Sequence, residues 1–414
     1  MERLLFLSHR IPYPPDKGDK IRAWHMFRHL AATHRVHLGT LMDDPADEVH
    51  FPALRALCAD FACYAISPRR QKLRALAGLR PGRPLTLDYF HDARLQAWVD
   101  QTLARGDIAR VFVYCSSMAP YVMRPAGHPG APRGVMDMVD VDSEKWTEYA
   151  TRTGWPARLV WAREGRTLLR FERRAAGHFD RTLFVSPAES ARFAELAPET
   201  ADRLDWVENG VDLERFSPHA AHADPYADLP SPGGPNLVFT GTMDYWPNVD
   251  AVCWFARDVL PGLRERHPGA RFHVVGANPA PEVSALAALP GVHVTGRVAD
   301  VRPYVAHAAL AVAPLRIARG IQNKVLEAMA MGRPVVASPQ AYEGVRSEAG
   351  RDLLVADGVQ ETVRLCAEVL DGRHPGLGAA ARRAMERAYA WSATLARLDD
   401  VMAATAPAAG ASAA

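Results

Sequence analysis

The chain has 414 residues, 48% hydrophobic and 23% charged, with a net charge of +2 from 49 Lys and Arg against 47 Asp and Glu. That length exceeds one ordinary core and predicts two domains of about 150–200 residues. The balanced charge carries no electrostatic footprint of a nucleic-acid binder, so no nucleic-acid partner is expected. Five cysteines (Cys58, Cys63, Cys115, Cys253 and Cys366) lie without metal-ligand spacing and read as reduced thiols of a cytosolic protein. The opening residues, MERLLFLSHRIPYPP, have an apolar run cut short by His9 and Arg10, a first strand rather than a signal peptide. No apolar run reaches the roughly 18 residues that a membrane span needs.

In chain order, Leu4 to Leu7 predict a buried strand. A long loop over 8–20 follows, then a helix from Ile21 to about Thr33 and a strand from Val36 to Leu41. Strand, glycine-bearing loop, helix and strand open a doubly wound α/β unit, whose ligands sit beyond the strand carboxyl ends. Gly18 allows close backbone approach, and the next helix offers N–H groups to an anion; a plain βα loop fits the same residues. The basic stretch 69–84 sets Leu73, Leu76 and Leu79 among arginines and lysines. A solvated surface helix and a helix lying on an anionic membrane both fit it.

Val111 to Tyr114 predict another strand. Residues 135–142 alternate apolar and acidic, a strand expected to point Asp137, Asp140 and Asp142 the same way, with Asp142 or Ser143 also suited to cap the next helix. No His or further ligand accompanies the aspartates, so no metal is expected. The charged helix over 161–179 reads as a solvated face. Ser186 and Glu189 form a capping box, and Asn209-Gly210 predict a tight turn.

Residues 218–236, rich in Pro, Ala, His and Gly, predict a linker. A strand at 237–240 then runs into Gly241 and a helix from about Val249. Strands at 272–276, 292–298 and 310–313 complete most of a second parallel sheet. After Pro314, a basic loop leads into a helix from Gln322 or Asn323, with Ile321, Val325, Ala328 and Met329 on one apolar stripe. Gly332 and Pro334 end it before Val335 to Ala337. Arg316, Arg319 and Lys324 crowd the helix start, where the dipole disfavours cations; a bound anion resolves the conflict. Lys324 on a phosphate and Glu327 on ribose hydroxyls make this a nucleotide-diphosphate site, whereas a solvated helix with an i,i+3 Lys–Glu pair is the plainer reading. One long helix is expected over 379–404, and a disordered tail over 406–414.

The segment 320–338, GIQNKVLEAMAMGRPVVAS, resembles the donor site of family-4 retaining glycosyltransferases. More narrowly, the chain resembles the sugar transferases associated with PEP-CTERM exopolysaccharide loci. The resemblance implies a GT-B fold of class α/β, two doubly wound Rossmann-like domains facing across a cleft. These are an acceptor domain at 1–217, the linker at 218–236, a nucleotide-sugar domain at 237–378, and a helix at 379–405 crossing back to the first domain. It places Gly18, Asp19, Lys20 and Arg22 beside donor phosphate and acceptor, where the acidic end of the 135–142 strand itself suits Asp140 or Asp142 to the acceptor hydroxyl. Gly241, Thr242 and Met243 fall on the loop facing the diphosphate, and Arg297 and Val298 on the base-contacting loop. Gly320, Ile321, Gln322 and Asn323 belong to the donor segment. The family pattern has two glutamates; Glu327 fits the second, while Arg319 stands at the first, where it could pair with an acidic sugar or phosphate. Arg316, Arg319 and Lys324 would meet the phosphate charge.

The implied function is transfer of a sugar from a nucleotide diphosphate to a hydroxyl of a lipid-linked glycan. It needs no cofactor or metal, and takes place in the cytoplasm or at the inner face of the plasma membrane. A GT-B epimerase and a non-catalytic sugar-nucleotide-binding scaffold are the alternatives, separated by product analysis and by turnover.

Overall fold

The computed structural model describes residues 1–15, 18–77, 82–123, 134–227, 234–318 and 320–405. The chain divides into two compact units, Met1–Glu208 with Leu395–Ala414, and Asn209–Thr394. The boundary thus falls ahead of the expected 217. The second division lies inside a helix.

The first unit is built on a seven-stranded parallel sheet. Its strands are β1 (Arg3–Ser8), β2 (Arg35–Met42), β3 (Asp60–Ala65), β4 (Arg110–Tyr114), β5 (Gly134–Val139), β6 (Arg181–Phe184) and β7 (Leu204–Trp206), in the order β3-β2-β1-β4-β5-β6-β7. Leu4 to Leu7 are fully buried, as a strand covered on both faces requires. The helix after β1 runs Gly18–Thr33, so the loop is shorter than expected.

The second unit carries a six-stranded parallel sheet of β8 (Asn236–Thr240), β9 (Arg271–Val275), β10 (Val292–Gly296), β11 (Leu310–Ala313), β12 (Val335–Ala337) and β13 (Leu354–Val355), ordered β10-β9-β8-β11-β12-β13. In each unit the order reverses beside the first strand, at β1/β4 and at β8/β11, the place where open α/β sheets take ligands.

Several expectations change. The helix over Ala157–His178 is not simply a solvated face: Glu164 and Glu172 are buried. Glu164 accepts from the backbone N–H groups of Leu85 and Thr86 at 2.7 and 2.9 Å, so its charge serves as an internal cap. The C-terminal helix is two helices, Leu377–Ala388 and Trp391–Ala404, and the fully buried Tyr389 stands at the break. Gly210 answers to packing rather than to a left-handed turn, since a Cβ there would lie 2.7 Å from the Trp391 ring. Within the expected linker, Tyr226 is buried and its hydroxyl donates to the Tyr304 carbonyl at 2.7 Å. The part of the basic stretch at 78–81 and the tail 406–414 lie outside the described residues.

Candidate functional site

The second unit's reversal point gathers four segments. β8 ends in Thr240, and Gly241 follows with its N–H on the Val275 carbonyl at 3.1 Å. A Cβ at Gly276 would lie 1.7 Å from the Gly241 oxygen, so glycine is what lets the two backbones meet. The Met243 N–H donates to the Ala277 carbonyl at 2.8 Å and its side chain is fully buried. Met243 therefore anchors the loop to the core, while Thr242 is exposed.

Two residues into the next helix, Trp246–Trp254, stands Asn248, only 3% exposed. Its Nδ2 donates to the Thr242 carbonyl at 2.8 Å, and its Oδ1 accepts from Lys324 Nζ at 2.9 Å. Lys324 lies in the first turn of the helix Asn323–Ala330, with its ammonium 4.9 Å from the centroid of the Phe239 ring. Burial pulls that ammonium down to about 8, with Glu327 acting in the opposite direction. Burial likewise pushes the half-buried Glu327 carboxyl up to about 7, against the pull of Lys324 and Arg215. The hydrogen bond of Lys324 goes to Asn248, so the plain i,i+3 pair does not describe it.

Ile321, Val325, Ala328 and Met329 are all buried, as their stripe requires. Gly320 has φ 63, a conformation that favours glycine, and its carbonyl accepts from Gln322 Nε2 at 3.1 Å. Gln322 occupies the N-cap without a capping side-chain bond, and the buried Oδ1 of Asn323 has no partner. Arg316 forks onto Asp250 of the Trp246–Trp254 helix, with Nε 2.9 Å from Oδ2, so its charge already has a carboxylate. Arg297 is exposed, and Val298 packs on the core's edge. Arg319 lies outside the described residues.

In the first unit, two of the expected site residues, Lys20 and Arg22, are drawn inward. Lys20 is 2% exposed with Nζ 2.7 Å from Asp47 Oδ2. Arg22 forks onto Asp137 at 2.7 and 3.0 Å and donates to the Val207 carbonyl at 2.6 Å, with both charged groups fully buried. These contacts make Lys20 and Arg22 structural ties. Asp19 accepts from Arg10 Nη1 at 2.8 Å and lies 3.4 Å from His9 Nε2; its carboxyl is held well below the usual range, burial notwithstanding, by those two neighbours. Gly18 is exposed at the helix start.

The three aspartates near β5 do not share a direction. Asp137 and Asp140 are three positions apart, which sets them on opposite faces of a regular strand, and β5 ends at Val139 (φ 71), where the β5–β6 register shifts. Asp137 faces inward to Arg22. Asp140 and Asp142 instead hold Lys145 Nζ at 2.8 and 3.0 Å, and the two carboxylates raise that ammonium's pKa despite the opposing effect of burial. Asp142 is the first residue of the helix Asp142–Arg152, whose N-cap is Val141. Asn248 is the residue that sequence reading passed over; only its place just after the glycine loop could have signalled it.

Residues 234–371 match the family model described as Glycosyl transferases group 1. No curated protein matches the chain by sequence. Among solved structures, sucrose-phosphate synthase from Thermosynechococcus elongatus aligns with TM-score 0.69 at 16% identity, covering 97% of this chain and 98% of that one. Anabaena Alr3699/HepE in complex with UDP and glucose aligns with TM-score 0.67 at 14% identity, over 98% and 100%. WaaG, a glycosyltransferase involved in lipopolysaccharide biosynthesis, aligns with TM-score 0.65 at 17% identity, over 97% and 100%. The stretch holding Lys324 and Glu327 thus matches the group 1 glycosyl transferases, on a chain whose fold is GT-B.

Proposed function

We propose that the protein is a glycosyltransferase that moves a sugar from a nucleotide diphosphate to a hydroxyl of a lipid-linked glycan in exopolysaccharide assembly, with retention at the sugar carbon. The observation that carries this reading is the Asn248–Lys324–Glu327 arrangement at the β8/β11 reversal, within residues that match the group 1 glycosyl transferases. The uncapped start of the Asn323–Ala330 helix offers N–H groups to a diphosphate, and Lys324 adds a positioned cation. Glu327 accepts from ribose hydroxyls. By its place in the family pattern, Arg319 would pair with the sugar or its phosphate. Catalysis rests on holding the leaving diphosphate as positive charge grows on the sugar, by positioning and electrostatics. No resident cofactor is needed, because the nucleotide sugar is itself the co-substrate. HepE, a structure of the same fold solved in complex with UDP and with UDP-glucose, supports a nucleoside diphosphate as the ligand.

On the acceptor side, the first unit would present Gly18 and Asp19, with Asp140 and Asp142 reaching the hydroxyl once Lys145 is displaced. Leu73 on the basic helix Pro68–Ala77 is 69% exposed, which supports contact with the inner membrane leaflet. Among the described residues no helix is long and apolar enough to cross a membrane.

The test is thermal stabilisation by UDP, GDP, ADP and TDP, with a Lys324→Ala, Glu327→Ala double variant beside the wild type. At about a hundred times its dissociation constant, a ligand adds about 2.7 kcal/mol. A shift with one nucleotide, lost in the variant, is expected; no shift with any would sink the donor reading. Transfer of labelled sugar into the organic-solvent fraction, with the linkage geometry read by NMR, then checks acceptor and retention.

A further inference from the structure

The helices Asp142–Arg152 and Ala157–His178 pack on each other as a hairpin within the first unit. Its inner side is closed. The Trp146 and Trp161 rings stack at 4.9 Å, Tyr149 meets Trp146 edge-on at 5.7 Å, and a Cβ at Gly165 would crowd Thr147 Oγ1. Away from the turn, the hairpin is tied to the rest of the unit: Glu144 pairs with Arg192 at 2.6 Å, and Glu164 accepts from Leu85 and Thr86. Leu159 lies five residues nearer the turn than Glu164, about 7.5 Å along the axis, and Trp155 lies in the turn itself.

That turn gathers apolar surface. Of the eight large hydrophobic side chains exposed among the described residues, Tyr149 (36%), Trp155 (82%) and Leu159 (61%) fall within residues 149–159. Apolar side chains scattered singly over a surface need no partner, but three around one turn mark a contact. Their chemistry selects the partner. Residues 149–163 carry three arginines and no acidic residue, and Arg158 beside Leu159 is exposed. Indole and phenol rings, apolar in body and polar at the tip, suit the boundary between lipid headgroup and hydrocarbon, and arginine suits anionic headgroups. A side chain as exposed as Trp155 lines no groove, so it fits insertion into a soft phase rather than reception of a peptide.

We propose that the turn between these two helices is a contact for an anionic lipid surface, with Trp155 and Leu159 entering the interface and Arg158 meeting the headgroup phosphates. It deepens the inner-leaflet reading above and rests on that reading for the kind of surface, while assigning the contact to residues other than Leu73 of the basic helix Pro68–Ala77.

The experiment is flotation of the full chain with mixed phosphatidylglycerol–phosphatidylcholine vesicles and with phosphatidylcholine vesicles alone. The proteins compared are the wild type, a Trp155→Ala, Leu159→Ala double variant, and Leu73→Ala. The wild type is expected to prefer the anionic vesicles, and the double variant to bind them at least about tenfold more weakly with an unchanged melting temperature. Equal binding by wild type and double variant would overturn the proposal; if Leu73→Ala then loses binding, the inner-leaflet reading stands without the hairpin. A wild type that binds neither kind of vesicle overturns both, and one that binds the two kinds equally overturns the anionic partner. An oligomeric wild type that ignores vesicles and that the double variant makes monomeric gives the turn to a second copy of the chain, against the proposal. Should the double variant misfold, vesicles with brominated acyl chains decide instead. They are expected to quench the tryptophan emission of the wild type more than that of Trp155→Phe, and equal quenching overturns the proposal.

Discussion

Lys324 Nζ donates to Asn248 Oδ1 at 2.9 Å while the other end of the same amide donates to the Thr242 carbonyl at 2.8 Å. One buried side chain therefore ties the loop after β8 to the start of the Asn323–Ala330 helix. Gly241 makes the room, since a Cβ there would lie 2.7 Å from Asn248 Nδ2. Asn248→Ala removes both bonds and leaves the ammonium free to swing. A hydrogen bond to a charged group is worth about 1.5–3 kcal/mol, so nucleoside diphosphate affinity is expected to fall roughly 10- to 100-fold in titration calorimetry. An unchanged affinity would mean that Lys324 holds its place without the amide.

The same pair sets a pH window. Burial holds the Lys324 ammonium down to about 8 and the Glu327 carboxyl up to about 7. An unfolded lysine keeps its proton to about 10.4, so above about 8 the folded chain binds fewer protons, and this group's contribution to stability rises with pH. Glu327 works the other way: the folded chain holds its proton longer, and stability is lost as pH rises from the ordinary carboxylate range through about 7. A diphosphate needs the ammonium and a ribose hydroxyl needs the carboxylate, so affinity is expected to peak between the two values. Lys324→Arg, which keeps its charge, should abolish the alkaline decline. Affinity flat across the whole range would contradict the assignment.

How much of this was legible follows from the range of each interaction. The stripe of Ile321, Val325, Ala328 and Met329 repeats within one helix, so local periodicity revealed both the element and its buried face. The partners of Lys20 and Arg22 lie 27 and 115 positions away, and that of Lys324 lies 76 away. No local spacing encodes such pairs, which is why the buried partners of Lys20 and Arg22, and Asn248 itself, went unseen. The aspartates misled for a different reason, since Asp137 and Asp140 are three positions apart and a strand with period two already puts them on opposite faces.

The Arg22–Asp137 pair is expected to matter for stability rather than ligand binding. Its side chains are 1% and 0% exposed, and Arg22 also satisfies the Val207 carbonyl. Arg22→Ala leaves a buried carboxylate uncompensated and should cost about 3–5 kcal/mol in urea unfolding. Replacing both partners with apolar residues, Arg22→Met with Asp137→Leu, should recover much of that loss. If Arg22→Ala kept full stability yet lost substrate binding, the inward reading of Arg22 would be wrong.

Glu172 offers a test of buried charge away from the proposed donor site. It is fully buried; one carboxyl oxygen accepts from the Ser143 N–H at 3.2 Å and the other has no partner. Burial, with Asp142 adding repulsion, pushes its carboxyl up to about 8, although Ser143 and Lys145 pull the other way. The folded chain thus holds this proton more tightly than the unfolded one. Stability from this group is present at acid pH and is lost as pH rises through about 8. Glu172→Gln keeps the shape and cannot ionise, so its melting temperature should gain on the wild type as pH rises from the carboxylate range to above that value. A relative gain larger than about 2 °C, which corresponds to roughly 1 kcal/mol, is expected by differential scanning calorimetry. A difference between the two proteins that stays constant with pH would show that Glu172 is already ionised in the fold, stabilised by Lys145 more strongly than burial opposes it.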